Sequence, residues 1–285
     1  MKNYFEKKTR SSNFFCVAGM PIAHSKSPVI HTLFGEGIDL ELTYEKVEVS
    51  SGCLRVAIEQ FKKAGGIGMN VTVPLKEEAF EIADEQSDRA VKAGAANTLC
   101  FKDGRIVADN TDGSGIVRDI KLNNSITLEG KTILILGAGG AAKGVIPALI
   151  KENPFSIKVS NRTISRAEAL VEFTRDYPLE VLEWGANLSY RPDIVINATS
   201  LSLSNDLPEI DSQTIGPGSV VYDMGYTVGP TSFMRFSESL GATQVLDGLG
   251  MLVEQAAEAF FLWHGIFPET SSVIEYLRNE NSSNA

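Results

Sequence analysis

The 285 residues are 43% hydrophobic and carry a formal net charge of -10, with 36 Asp and Glu against 26 Lys and Arg. This acidic balance argues against general nucleic-acid or anionic-membrane binding, because both need a basic surface. No apolar run approaches the ~20 residues that span a bilayer, and three scattered cysteines predict neither a disulfide framework nor a zinc site. We expect a cytoplasmic protein without a metal site, built as one large domain or two of ordinary size.

The first third of the chain alternates strands with helices, which predicts an α/β unit. Ser27 followed by Pro28 is typical of a helix start, with Ser27 as the N-cap residue. From the hydrophobic period, strands are predicted over 13–20, 42–49 and 67–73, and helices over 27–35, 54–64 and 77–83.

Polar residues at the ends of these elements are candidates for chemistry. Lys76 follows a strand and a proline at the start of a helix, and Asp112 lies in a later turn from which it could pair with Lys76. Ser25 and Ser27 could donate hydrogen bonds to a carboxylate, although Ser27 also has the structural role of a cap. For Lys76 and Asp112, the residues alone favour exposed, solvated positions.

Two asparagines, Asn70 and Asn97, interrupt otherwise apolar strands, where this residue type is disfavoured. Such residues can face a ligand at the end of a strand, or they can bond to the backbone of a loop. Both interpretations stay open.

A hairpin is predicted next. Residues 96–101 and 105–109 are strand-like and flank Asp103 and Gly104, a pair that is a strong hairpin signal. The hairpin leads into the polar turn 109–113, which we interpret as a domain boundary.

Residues 131–144 have the pattern of a dinucleotide-binding turn. An apolar run ending at Leu136 suits a strand buried on both faces of a parallel sheet. Beyond it, Gly137 allows a tight turn, Gly139 lets the backbone approach a pyrophosphate, and Ala142 lets the following helix pack closely. The N-terminus of that helix offers unpaired N–H groups and the positive end of a dipole to phosphates.

The strand predicted over 155–160 decides between NAD and NADP. An NAD site would place Asp or Glu roughly 20 residues beyond the glycines, to hold the ribose 2′-OH. This chain has Asn161, Arg162 and Arg166 there, and guanidinium groups can hold a 2′-phosphate bidentately. The sequence therefore predicts NADP, with ordinary surface arginines as the alternative.

Buried strands predicted over 193–199 and 219–224 continue this unit, and the last long helix is predicted from Met251 to about Gly265. By the helical period, Gln255 lies at the edge of the apolar face of that helix. Its carboxamide needs hydrogen-bond partners, which are either backbone groups or a polar ligand.

Eight sequence blocks resemble, in order and spacing, the signature blocks of the shikimate dehydrogenase family, and they cover the chain from about residue 14 to 278. They are PIAHSKSP (21–28), NVTVPLKE (70–77), AGAANTL (93–99), DNTDG (109–113), GAGGAA (137–142), NRTISRA (161–167), INATS (196–200) and DGLGMLVEQAA (247–257). The resemblance implies NADPH-dependent reduction of 3-dehydroshikimate to shikimate, a step of chorismate and aromatic amino-acid biosynthesis. It also implies an α/β fold with an N-terminal α/β substrate domain, a Rossmann-type NADP-binding domain, and C-terminal helices packing back on the first domain.

On this resemblance, residues 1–112 and 248–285 form the substrate domain, 113–247 form the NADP domain, and the active site lies between them. Lys76 and Asp112 would be the catalytic pair, with Lys76 as the proton donor. The implied substrate-binding residues are Ser25, Ser27, Asn70, Thr72, Asn97, Tyr226 and Gln255. The implied cofactor-binding residues are Gly137, Ala138, Gly139, Gly140, Ala141, Asn161, Arg162, Thr163 and Arg166, with Met224 and Gly248 beside the nicotinamide.

Two loops on the nicotinamide side depart from the family pattern. After Ser200 the family usually has Gly-Met, whereas this chain has Leu201-Ser202-Leu203. After Tyr226 a proline commonly follows within two residues, whereas here it follows only as Pro230.

The alternative functions are a quinate/shikimate dehydrogenase that uses NAD or both cofactors, and a non-catalytic ligand sensor on the same fold. Arg162 and Arg166 speak against a preference for NAD. The expected partner is a small-molecule substrate, with no nucleic acid and no membrane, and the expected assembly is a monomer or homodimer.

Overall fold

The computed structural model describes residues 4–5, 12–174, 177 and 179–283. This described chain divides into two compact units. The first runs to Gly115 and includes Val253–Val273, and the second comprises Ile116–Leu252 and the chain from Ile274 onward. The boundaries expected after residue 112 and before residue 248 stay predictions, and the expected ends at residues 1 and 285 lie outside the described residues.

The first unit is built on a mixed sheet with strand order β2-β1-β3-β5-β6-β4. Strand β5 runs antiparallel to both neighbours, whereas the other strands share one direction. Its elements in chain order are β1 (Phe14–Gly19), α1 (Ser27–Glu36), β2 (Thr43–Glu48), α2 (Leu54–Lys63), β3 (Gly66–Val71), α3 (Lys76–Ile82), β4 (Glu85–Gln86), α4 (Asp88–Ala93), β5 (Thr98–Lys102), β6 (Arg105–Asp109) and the start of α5 (Asp112–Arg118).

Local sequence explains the hairpin of this sheet. Strands β5 and β6 pair antiparallel from Lys102 and Arg105 onward, so the predicted hairpin is confirmed. Asp103 and Gly104 connect them with φ of 50° and 80°, the left-handed conformations that Asp and Gly tolerate best.

The predicted cap of α1 is wrong. Lys26 occupies the N-cap position without a capping side chain, and Ser27 is the first helical residue. The Ser27 hydroxyl lies 3.2 Å from the Oγ of Ser25 instead of bonding a backbone N–H of the first turn. In the described chain, Ser27 therefore does not cap α1, which was the alternative to a role in ligand binding.

The second unit is built on a parallel sheet with strand order β12-β11-β10-β7-β8-β9. Counted along the chain within this unit, that is the order of a doubly wound dinucleotide-binding fold, which confirms the Rossmann-type prediction. Its elements are a π-helical turn (Asp119–Asn123), β7 (Thr132–Leu136), α6 (Gly140–Lys151), β8 (Ser156–Ser160), α7 (Ile164–Phe173), β9 (Glu180–Leu182), β10 (Ile194–Asn197), a 3-10 turn (Leu201–Ser204), β11 (Val220–Asp223), α8 (Ser232–Ser239) and β12 (Gln244–Leu246).

The C-terminal helices are α9 (Leu249–His264) and α10 (Ser271–Ser283). From Val253, α9 belongs to the first unit, where the Trp263 indole N–H donates to the Leu99 carbonyl at 3.2 Å. From Ile274, α10 is grouped with the second unit. Within the described residues, each helix is too short or too polar to cross a bilayer.

Candidate active site

The predicted catalytic residues Lys76 and Asp112 form an ion pair in the first unit. Lys76 begins α3, a few residues beyond β3, and Asp112 begins α5, beyond β6. Nζ of Lys76 lies 2.6 Å from Oδ2 of Asp112, and the two side chains are only 21% and 8% exposed. The solvated surface positions that the residues alone favour are thus excluded for this pair.

Sheet topology explains why residues 36 positions apart meet. Strands β3 and β6 both run antiparallel to β5, so their carboxyl ends lie at the same edge of the sheet. Asn97 lies between these ends: its N–H donates to the Asp109 carbonyl at 3.1 Å, and its carbonyl accepts from the Val71 N–H at 2.8 Å. The residues that follow β3 and β6 therefore lie close to Asn97.

The Asn97 side chain fixes the carboxylate of Asp112. Its Nδ2 donates to Oδ1 of Asp112 at 2.9 Å and lies 3.2 Å from Oε1 of Gln255. Its Oδ1 accepts from the Thr111 N–H at 2.9 Å. Asp112 is thus held through both oxygens, and Gln255, the α9 residue whose role the sequence leaves open, joins the same cluster.

The second predicted asparagine, Asn70, is also hydrogen-bonded to polar neighbours. Its Oδ1 accepts from the Tyr44 hydroxyl at 2.6 Å, and its Nδ2 donates to the Asn97 carbonyl at 3.2 Å and to Oγ1 of Thr98 at 3.1 Å. The bonds to Asn97 connect the Asn70 group to the Lys76–Asp112 pair through one residue.

Three predicted hydroxyl groups lie in the same unit. Ser25 is half-buried and Ser27 is buried, and the Ser25 hydroxyl also accepts from the Ser27 N–H at 3.3 Å. Thr72 follows β3 directly, and its hydroxyl has no hydrogen-bond partner among the described residues. These groups remain able to bond a ligand.

A half-buried arginine that no sequence motif indicates stabilises the turn before Asp112. Nε and Nη2 of Arg89 donate to the two oxygens of Asp109 at 3.0 and 2.9 Å, and Nη1 lies 2.8 Å from Oε2 of Glu258 on α9. Burial acts to raise the pKa of Asp109, but the hydrogen bonds from Arg89 and Ser87 outweigh it, so this pKa lies below its usual 3.8. No short-range motif marks Arg89, because Glu258 is 169 residues away.

In the second unit, the glycines of the turn between β7 and α6 differ in the space around them: a side chain would be crowded at one position and unobstructed at two others. Gly137 has φ of 106°, and a Cβ there would lie 3.1 Å from the backbone of Ala198. At Gly139 and Gly140 a Cβ would meet nothing within 4 Å. The α6 N-terminus is therefore accessible to a phosphate, as its dipole and unpaired N–H groups require.

Asn161, which directly follows β8, is hydrogen-bonded to the backbone of this turn. Its Oδ1 accepts from the Ala138 N–H at 3.1 Å, and its Nδ2 donates to the Thr163 carbonyl at 2.7 Å. The neighbouring side chains of Arg162 and Arg166 are exposed, and neither guanidinium pairs with another residue of the described chain. Two uncommitted guanidinium groups beside an open glycine turn fit an NADP 2′-phosphate.

The residues expected near the nicotinamide follow β11 and precede α9. A Cβ on Gly248 would lie 2.2 Å from the carbonyl oxygen of Met224, so only glycine allows these two segments to meet. Tyr226 is half-buried in the second unit, and burial raises its pKa above the usual 10. Its hydroxyl has no hydrogen-bond partner among the described residues.

Three family descriptions match consecutive parts of the chain. Residues 17–99 match the shikimate dehydrogenase substrate binding domain, 120–204 match shikimate / quinate 5-dehydrogenase, and 248–275 match the shikimate 5′-dehydrogenase C-terminal domain. A shikimate dehydrogenase (NADP(+)) of Alkalilimnicola ehrlichii is 45% identical over 266 residues, which are 93% of this chain and 98% of the relative.

The chain belongs to the shikimate dehydrogenase family.

Solved structures agree with this membership. An Ael1 enzyme from Pseudomonas putida superimposes with a TM-score of 0.88 at 42% identity, covering 93% of this chain and 98% of that one. Shikimate 5-dehydrogenase from Thermus thermophilus, solved in complex with NADP(H) and shikimate, gives a TM-score of 0.84 at 33% identity and covers 94% and 99% of the two chains.

The 3-10 turn, where the sequence is expected to depart from the family pattern, is well hydrogen-bonded. The Ser202 hydroxyl accepts from Nδ2 of Asn197 at 2.9 Å, and it also bonds the buried carboxyl of Asp223. Burial raises the pKa of Asp223 above its usual 3.8, although the bonds from Ser202 and Thr231 oppose that rise. Ser202 thus joins the 3-10 turn to the end of β11.

Proposed function

We propose that this chain is an NADP-dependent shikimate dehydrogenase that interconverts 3-dehydroshikimate and shikimate. The observation that carries the proposal is the Lys76–Asp112 pair, with Nζ 2.6 Å from Oδ2 and the carboxylate fixed by Asn97 beside Gln255. Family membership and the named activity of the relatives support the substrate and the cofactor.

Reduction of a ketone adds a hydride to the carbonyl carbon and a proton to its oxygen. The bound reduced nicotinamide supplies the hydride. Lys76 donates the proton to the oxygen as negative charge develops there, and the resulting amine regains a proton from solvent. Asp112 holds the ammonium in position, and Asn97 keeps the carboxylate from rotating, so that the donor is preorganised.

The substrate carboxylate would be held by Ser25 and Ser27, with Tyr226 contributing its hydroxyl. Thr72 and Gln255 would bind ring hydroxyls, and Asn70 and Asn97 would bind or support them. The unpaired hydroxyl of Thr72 and the Ser27 hydroxyl, which caps no helix, support these roles.

The pyrophosphate of NADP would lie on residues 137–141, shaped by Asn161 and Thr163, and the 2′-phosphate on Arg162 and Arg166. Met224 and Gly248 would border the nicotinamide. The open positions at Gly139 and Gly140 and the unpaired guanidinium groups support this assignment.

We further propose that the enzyme works in the cytoplasm as a monomer or homodimer. Light scattering of the purified protein, coupled to size exclusion, would distinguish the two assemblies from each other and from larger ones.

The decisive experiment compares kcat/KM for shikimate and quinate with NADP and with NAD. We expect shikimate with NADP to be the best combination. Protein that binds NADP but reduces none of it with shikimate would contradict the proposal, and a preference for quinate with NAD would favour the quinate/shikimate alternative. Lys76→Ala serves as the inactive reference, which separates the reaction from a contaminating activity.

A further inference from the structure

Tyr44 lies on β2, and none of the sequence motifs gives it a role. Its half-buried ring stacks on the His31 imidazole, with centroids 4.4 Å apart and an interplanar angle of 11°. Its hydroxyl lies 2.6 Å from Oδ1 of Asn70. The ring is thus fixed by stacking, and the phenolic oxygen is placed beside a predicted substrate-binding residue.

The hydrogen bonds around Asn70 determine which atom carries the proton in this contact. The Thr98 hydroxyl donates its hydrogen to Oδ1 of Asn97 at 2.9 Å, so it can only accept from Nδ2 of Asn70. The second hydrogen of that Nδ2 goes to the Asn97 carbonyl. The Asn70 oxygen therefore faces Tyr44, and since an amide oxygen has no hydrogen, the phenol is the donor.

This arrangement leaves Tyr44 with acceptor capacity only. Its hydrogen points to Asn70, so the phenolic oxygen can form a further hydrogen bond only as an acceptor, and the Ser27 hydroxyl lies near it. A carboxylate could not bond an oxygen that has no hydrogen to give, but a hydroxyl could donate to it.

We propose that the phenolic oxygen of Tyr44 accepts a hydrogen bond from a ring hydroxyl of the substrate, next to the carboxylate-binding serines. Tyr44 would therefore select substrates that carry a hydroxyl at that position, and its bond to Oδ1 of Asn70 would hold that amide in place. This inference rests on the proposed function, because it concerns the substrate of the same site.

Tyr44→Phe tests the inference because it keeps the ring that stacks on His31 and removes only the oxygen. We expect the KM for shikimate to rise about 10-fold, the value for losing one hydrogen bond worth about 1.4 kcal/mol, with kcat changed less than twofold. The KM for NADP should stay constant. Tyr177→Phe is the matched control, since the Tyr177 hydroxyl donates to the Pro154 carbonyl at 3.1 Å in the second unit.

Analogues of shikimate that lack one non-reacting ring hydroxyl, at C4 or at C5, identify the contact directly. With the native enzyme, both analogues should bind more weakly than shikimate. With Tyr44→Phe, one of them should bind as well as shikimate does, because the group that recognised its missing hydroxyl is gone. Equal penalties for both analogues in the native and variant enzymes would overturn the inference, and so would an unchanged KM.

A second variant covers the case in which Tyr44→Phe does not fold. Replacing Tyr44 with 3-fluorotyrosine retains the ring and hydroxyl but weakens the oxygen as an acceptor, so the KM for shikimate should still rise. An unchanged KM in that variant would also overturn the inference. Failure of the proposed function is distinguishable from all of these results, because the native enzyme would then show no activity with shikimate.

Discussion

The polar groups of the two units are arranged in opposite ways. In the first unit, Asn70 and Asn97 are hydrogen-bonded to other residues, so the Lys76–Asp112 pair sits in a bonded framework. In the second unit, Gly139 and Gly140 face open space and Arg162 and Arg166 have no partner in the described chain. A catalytic group must be preorganised by protein, whereas a phosphate site consists of donors that the protein leaves unused.

The largest effect should come from breaking the bonded framework at its centre. Lys76→Ala removes the proposed proton donor, and we expect kcat to fall about 10²–10⁴-fold, the usual contribution of a general acid. The KM for shikimate should change far less. Lys92→Ala, on the exposed last turn of α4, is the matched control. Losses of similar size in kcat and in substrate affinity would instead indicate a binding role for Lys76.

A buried histidine in the first unit should also lower the stability of the protein in acid. His31 is buried against Tyr44 and Phe260, and its Nε2 has no hydrogen-bond partner among the described residues. Burial, aided by the nearby His264, lowers the pKa of His31 from 6.5 to about 3. The pKa of His31 is lower in the folded protein than in the unfolded chain. The free energy of unfolding therefore keeps the full contribution of neutral His31 above pH 6.5 and loses it as the pH falls toward 3.

At pH 4 this linkage amounts to about 3 kcal/mol of unfolding free energy. His31→Phe keeps an aromatic ring in the stack, so urea denaturation at pH 7 and pH 4 should show a smaller loss of stability in acid than in the native protein. The control is His24→Phe, at an exposed position. Identical acid sensitivity of His31→Phe and the native protein would exclude this residue as the cause.

Removing a donor of the second unit should affect ligand binding and leave folding intact. Arg162→Ala should raise the KM and the dissociation constant for NADP about 10–100-fold, as expected for one hydrogen bond to a charged group. The KM for NAD should not change, because NAD has no 2′-phosphate. Arg55→Ala, also exposed but in the first unit, is the control. Equal effects on NADP and NAD would mean that Arg162 does not bind the 2′-phosphate.

The contrast between the units also explains what the sequence could predict. The glycine turn and Arg162 are local in sequence, so spacing and residue type were enough to predict a parallel sheet and an NADP site. Arg89 and Tyr44 act through partners 169 and 26 residues away, and no periodic pattern identifies such pairs. The sequence placed Asn97 among the candidates, but its bonds depend on strand pairing.

One local prediction was overridden by its surroundings. Ser27 precedes Pro28 as an N-cap residue would, yet the helix begins one residue earlier and Lys26 takes the cap position. Cap preferences are worth only about 1 kcal/mol, so the contacts that place Ser27 beside Ser25 can outweigh them.

The smallest effect should come from the glycine turn. One substitution there tests the crowded position Gly137, and a second tests the unobstructed position Gly139. Gly137→Ala forces a left-handed φ of 106° on alanine and places its Cβ 3.1 Å from Ala198, so we expect about 1–2 kcal/mol of lost stability and a lower Tm. Gly139→Ala meets no atom within 4 Å and should leave the Tm unchanged. Its methyl group would occupy the space a pyrophosphate needs, however, so NADP should bind more weakly.

A different outcome would contradict this assignment. If Gly139→Ala lowered the Tm as much as Gly137→Ala while NADP affinity stayed native, Gly139 would be needed for folding and the phosphate would have to bind elsewhere in the second unit.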